Sequence, residues 1–224
     1  MSSSRTEILA RIRRAHQQAL LPDVTGITPE PPQPTPFEQP LPEVFAQALV
    51  AVQGNAYPCT SADEVADLVA KICQEQGQTQ VLSWQPQALP LPDLPAALVA
   101  RGIELLDSNL GPERGQTLDA LNPVLVGITG AAAGLARTGS LVLHADREHG
   151  RLASLMPDVH IALLREEAIF EDIAAWMAAT GTGEKIASHS NTVVITGPSR
   201  TADIAQTLTL GAHGPRELHV ILLK

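Results

Sequence analysis

Apolar residues along this 224-residue chain fall into short, nearly continuous runs separated by stretches with a helical period. The runs at 79–83, 103–106, 124–129, 140–144, 159–164, 193–196 and 218–222 have the length and β-branched content of buried strands. Between or before them, 43–53, 62–76, 94–101, 168–179 and 202–210 place apolar residues three and four apart, as helices do. Ser61 followed by Glu64 forms a capping box that opens the second helix. Ile169, Ile173, Trp176 and Met177 mark one face of the helix expected over 168–179. Strands that alternate with helices predict a three-layer α/β/α domain around a mostly parallel sheet. A hairpin-like pair around Ser140 and Val159 makes that sheet mixed.

The beginning of the chain is different. Residues 6–20 read as an amphipathic helix, with Ile8, Leu9, Ile12 and Leu20 close to one stripe and Arg5, Arg11 and Arg14 off it. One turn of Ile and Leu is too little apolar area to hold a membrane surface. Docking on protein, within the chain or across the interface of a homo-oligomer, is the better expectation. Residues 21–42 hold eight prolines, which favours an extended semi-rigid connector. The expected organisation is therefore an arm over 1–20, a proline-rich linker over 21–42 and an α/β domain over 43–224.

Composition narrows the classes of function. With only 3% aromatic residues the core must rest on Leu, Val, Ile and Ala. A net charge of -9 disfavours nucleic acid and anionic membrane as partners, since both need clustered Lys and Arg. No apolar run reaches the roughly 18 residues of a membrane span, and the charged start lacks the apolar core of a signal peptide. A cytoplasmic protein is expected. The two cysteines, Cys59 and Cys73, lie in separate elements without a C-x-x-C pattern, so no metal or cluster site is expected in this chain.

Two constellations carry candidate chemistry. In the first, a strand over 193–196 leads into Gly197, Pro198, Ser199, Arg200, Thr201 and Asp203, with His213 and Gly214 in a later turn. If a helix starts here, its free N–H groups, two hydroxyls and a fixed cation make a place for a small anion. The alternative makes Ser199 or Thr201 a plain N-cap and Asp203 a first-turn carboxylate. The second constellation runs from Gly127 to Ser140 and holds four glycines, with Thr129, Gly130, Arg137, Thr138, Gly139 and Ser140 as candidate ligand contacts. A tightly packed junction between elements is its alternative. If ligands gather where open sheets bind them, the two segments meet in one cleft at the carboxyl ends of their strands. Neither a dinucleotide nor a P-loop fingerprint occurs, and no nucleophile elbow is present. His144 and His149 flank a turn expected to be solvated rather than metal-binding. Asp158 and His160 form a further polar turn, with an edge histidine the simpler reading.

Taken together, Gly127-Ile-Thr-Gly130, Ala136-Arg-Thr-Gly-Ser-Leu141, Arg151-Leu-Ala-Ser-Leu-Met-Pro157, His160-Ile-Ala162, Gly197-Pro-Ser-Arg-Thr-Ala-Asp-Ile204 and Gly211-Ala-His-Gly-Pro215 resemble the lactate-utilisation protein C family of LUD-domain proteins. The resemblance implies a fold similar to the sugar-phosphate isomerase and CoA transferase-like superfamily. It also implies an accessory role in oxidising L-lactate to pyruvate beside partner proteins that carry iron-sulfur clusters, with no cofactor in this chain and a small anion as ligand. A stand-alone enzyme of the isomerase or acyl-transferase kind, acting on a phosphorylated or carboxylate substrate, is the alternative. Family members commonly carry a carboxylate before Thr-Gly where this chain has Arg137. A cation there fits binding of a carboxylate substrate or a partner's acidic surface, with Arg200 as a second clamp.

Overall fold

The computed structural model describes residues 4–18, 35–109, 114–181, 189–202, 208–210 and 213–224. The chain divides into two compact units, Met1–Pro36 and Phe37–Lys224. The first contains helix α1, Ser4–Gln18, with Glu7 in its first turn, where a carboxylate complements the helix dipole. Its stripe of Ile8, Leu9 and Ile12 is exposed. Leu20 and most of the proline-rich stretch lie outside the described residues.

In the second unit, α2 (Leu41–Ala51) buries Phe45 and Leu49, and strand β1 (Asn55–Cys59) follows. The sequence pattern passes over β1 because Pro58 interrupts it. The strand lies at a sheet edge, where a proline deprives no inner neighbour of a hydrogen bond. Helix α3 (Ala62–Glu75) starts on Ser61, whose Oγ accepts from the Glu64 N–H at 3.2 Å. The Glu64 carboxylate returns to the Thr60 N–H at 2.7 Å, one residue earlier than a capping box requires. Next come β2 (Gln80–Ser83), α4 (Leu94–Ala100), β3 (Glu104–Asp107), α5 (Arg114–Leu121) and β4 (Val126–Gly130). The chain continues through β5 (Ala133–Leu135), β6 (Ser140–Ala145), α6 (Leu152–Leu155), β7 (Val159–Arg165) and β8 (Ile169–Phe170). It closes with α7 (Ile173–Thr180), β9 (Asn191–Ile195), β10 (Arg200–Ala202), β11 (Leu208–Leu210) and β12 (Glu217–Leu223).

Six strands form one sheet in the order β1-β12-β7-β4-β2-β3, and all of its pairings are parallel. Its inner strands β4, β7 and β12 are buried almost throughout, as expected of a sheet flanked by helices. The expected pairing of the Ser140 and Val159 strands does not occur. β6 belongs to a second sheet, ordered β8-β5-β6-β9, in which it runs antiparallel to β5 and β9. Gly134 allows the second sheet to approach the first, since a Cβ there would lie 2.6 Å from Leu164 Cδ2. A separate apolar cluster of Ala133, Leu135, Val142 and Trp176 joins that sheet to α7.

Two helix expectations change. The 168–179 helix starts only at Ile173, because Asp172 adopts an extended conformation and caps it by accepting from the Ala175 N–H at 2.9 Å. Ile169 is consequently a strand residue, and Ile173 is exposed. The 202–210 helix is replaced at both described ends by strand: Arg200, Thr201 and Ala202 pair antiparallel with Leu210, Thr209 and Leu208.

Candidate functional site

Of the residues singled out by the sequence, Thr129, Gly197, Pro198, Ser199, His213 and Gly214 gather around His160. This histidine is the second residue of β7 and sits between Gly127 of β4 and Leu218 of β12. Gly127 can hold only hydrogen, since a Cβ would come within 2.0 Å of the Ala153 carbonyl oxygen in α6. Thr129 and His160 are both buried, and the Thr129 hydroxyl meets His160 Nε2 at 2.8 Å. Burial, reinforced by the charge of His219, pushes the His160 pKa down to about 3, so the ring is neutral at pH 7. A cavity of about 190 Å³ lies beside it, closed by Ser154, by Gly197–Ser199 and by His213–Gly214. The Ser199 N–H donates to the Pro215 carbonyl at 2.8 Å, which holds these two turns together.

The glycine-rich segment adjoins this place through hydroxyls. Ser140 Oγ lies 2.7 Å from Thr138 Oγ1 and 2.7 Å from Thr196 Oγ1, so three hydroxyls form a chain. Gly139 takes a φ of +62°, and a Cβ there would meet the Leu49 nitrogen at 2.3 Å. The segment is therefore a close-packed junction against α2. The meeting place also differs from the expected one. β9 ends where antiparallel β6 begins, and the cavity lies near the amino ends of β7 and β12. Its lining takes in Gly197, Pro198 and Ser199 but not Thr138, Gly139 or Ser140.

Neither expected cation reaches this cavity. Arg200 begins β10 and donates from Nη2 to the Val52 carbonyl at 2.5 Å, where it complements the carboxyl end of α2. Arg137 lies over the Phe37 ring at 4.5 Å and places Nε 3.8 Å from Asp172 Oδ2. Asp203 and the side chain of Thr201 lie outside the described residues. With Ser199 leading into a strand, the helix N-terminus on which the anion reading rested is missing from the described residues.

A second region was not legible in the sequence. The chain moves outward from β2 to β3 on one side and from β4 through β7 to β12 on the other. Its direction reverses between the neighbours β2 and β4, which makes their carboxyl ends the switch point where open sheets bind ligands. Trp84 follows β2 and donates from Nε1 to the Gly150 carbonyl at 3.1 Å. Gly130 ends β4 against the Trp84 ring, and a Cβ there would lie 3.1 Å from it, a close contact. His149 stands edge-on against Trp84, with centroids 4.4 Å apart.

Asp146 organises the histidines of this region. Its Oδ1 meets His149 Nδ1 at 2.7 Å and accepts the Glu148 and His149 N–H groups at 2.8 and 3.1 Å. Its Oδ2 meets His189 Nδ1 at 3.2 Å. Burial works to raise the Asp146 pKa, but these hydrogen bonds and the charge of His149 outweigh it and hold the carboxyl down at about 2. His144 stacks on His189 at 4.0 Å with an interplanar angle of 5°, and its Nδ1 meets the Thr192 hydroxyl at 3.0 Å. Burial, then the charges of His189 and His149, lower the His144 pKa against the opposing pull of Asp146. Parallel rings send their lone pairs side by side rather than toward one point. Among the described residues no three His, Cys, Asp or Glu side chains are placed to hold a metal ion. His149 lines both a cavity of about 160 Å³ with Trp84 and Gly130 and one of about 380 Å³ with Ser108, Asn109 and Arg151. The expectation of a merely solvated turn at 144–149 fails because Trp84 and His189, remote in sequence, fold against it.

The open parallel sheet with a second, smaller sheet packed on it defines an α/β domain. Residues 42–223 match the LUD domain, and the chain belongs to that family. Lactate utilization protein C of Deinococcus radiodurans is 29% identical over 227 residues, covering 99% of this chain and 96% of that protein. Lactate utilization protein C of Macrococcus caseolyticus is 32% identical over 160 residues, which span 70% of this chain and 66% of its own length. An uncharacterized protein of Neisseria meningitidis is 39% identical over 100 residues, or 43% of this chain and 41% of that one. A crystal structure of a DUF162 family protein from Deinococcus radiodurans shares the fold, with a TM-score of 0.57, 22% identity and coverage of 82% of this chain and 96% of that chain.

Proposed function

We infer that this chain acts in lactate utilisation, as an accessory subunit of a system that oxidises L-lactate to pyruvate. Its similarity to a lactate utilization protein C over 99% of its length is the observation that carries this reading. The electrons released travel to iron-sulfur clusters on partner proteins. The cysteine chemistry of this chain supports that division of labour. Cys59 and Cys73 are both buried, and burial pushes the Cys73 thiol up to about 11, far from the thiolate that a cluster requires. The contribution of this subunit is to bind a small anionic ligand.

Deletion of the gene tests the reading. The deleted strain should fail to grow on L-lactate while growing normally on pyruvate, and the full chain should restore growth. A tagged chain should retain cluster-bearing proteins through purification. Normal growth of the deletion strain on L-lactate would contradict the assignment.

A further inference from the structure

We propose that the cleft at the switch point between β2 and β4 binds a small carboxylate with an oxygen on the adjacent carbon, a 2-hydroxy or 2-oxo acid. Arg151 pairs with its carboxylate, and the His149 imidazole meets that neighbouring oxygen. The choice of acid rests on the lactate reading above. The placement of a base beside a cation rests on the geometry alone.

An ionised carboxylate only accepts hydrogen bonds. Asp146 is ionised at neutral pH and touches His149 and His189 through Nδ1, so each ring carries a proton on that nitrogen. In neutral His149 the lone pair is then left on Nε2, directed away from Asp146 and suited to accept from a hydroxyl. The hydroxyl of a 2-hydroxy acid can donate to that lone pair, whereas the carbonyl of a 2-oxo acid, which only accepts, cannot.

The surrounding structure keeps the backbone between this ring and this cation in place. The Gly150 carbonyl accepts from Trp84 Nε1 and from Ser108 Oγ at 3.4 Å, which ties the residue between His149 and Arg151 to the ends of β2 and β3. Gly150 also lacks room for a side chain, since a Cβ would lie 2.5 Å from Ser108 Oγ. Arg151 is exposed, lines the 380 Å³ cavity with His149, and has no ion-pair partner among the described residues. A cation free to pair and an imidazole held by Asp146 thus line one cavity, the two groups that recognition of a small acid uses. The charged and titratable neighbours of the His149 ring are Asp146, His144, His189 and Arg151, with Arg147 and Glu148 exposed in the turn. Trp84, Gly130 and Ala131 face the ring from the sheet side and carry no charge.

Calorimetric titration of the full chain with L-lactate and with pyruvate at pH 7 tests the proposal. Lactate should bind more tightly than pyruvate, and this preference should shrink in His149→Gln. Arg151→Gln should weaken both acids by about ten-fold to a hundred-fold, with partial recovery in Arg151→Lys. Equal affinity for the two acids, indifference to both substitutions, or no binding of either acid at millimolar concentration would each overturn it. Growth of the deletion strain on lactate does not depend on these outcomes, so failure of the site and failure of the lactate reading are separable.

Discussion

His160 and His149 are both held through one ring nitrogen, yet the two regions use the imidazole in opposite ways. His160 is enclosed between the inner strands, bonds to an uncharged hydroxyl, and stays neutral to about pH 3. His149 lies half-buried at the open end of the sheet, bonds to an ionised carboxylate, and borders cavities of about 380 and 160 Å³. Burial is what holds the His160 ring neutral, whereas the cleft leaves the His149 ring open to a ligand. Burial and partner decide the role, and the richer set of sequence motifs surrounds the histidine that has less chemical freedom.

The largest expected effect concerns acid. The folded pKa of His160 lies below its unfolded value of about 6.5, so the unfolded chain binds the extra proton first. Stability is fully present above pH 6.5 and is lost as pH falls toward 3. This amounts to about 2 kcal/mol at pH 5 and about 3 kcal/mol at pH 4. Urea unfolding of wild type and His160→Asn should show that the variant loses this portion of the pH dependence. Identical slopes would place the two histidines in the same class and break the comparison.

A smaller effect is expected from Thr129→Val, which preserves shape and leaves His160 Nε2 without its partner. The loss should be about 1 to 3 kcal/mol in a denaturant titration. Retained stability would mean that another group satisfies the ring.

The smallest effect belongs to Arg200→Ala. Removing a cation from the carboxyl end of α2 should lower stability by only about 0.3 to 1 kcal/mol. Lactate and pyruvate titrations should be unchanged, because this arginine points to Val52 rather than into either cleft. Weakened binding of either acid would return the anion site to the Gly197–Thr201 turn.

Much of the sheet was legible because fully buried parallel strands, such as β7 and β12, read as unbroken apolar runs. Short elements were harder. β5 spans three residues and β8 two, too few for any period to register. The 202–210 helix expectation fails because apolar residues over nine positions do not distinguish a helix from short strands such as β10 and β11. At the site, the meeting of Gly197–Ser199 with His213–Gly214 followed from segments already suspected. The switch-point cleft did not, since it assembles Trp84, Asp146, His149 and His189 from loops whose proximity only the strand order creates.

The division of roles between the two histidines is tested most directly by titrating L-lactate at pH 7 into Thr129→Val and His149→Gln. The first variant disturbs His160 alone and should bind within about two-fold of wild type, whereas the second should lose about ten-fold or more. Full affinity in His149→Gln together with a loss in Thr129→Val would move the ligand to the His160 cavity and contradict the account.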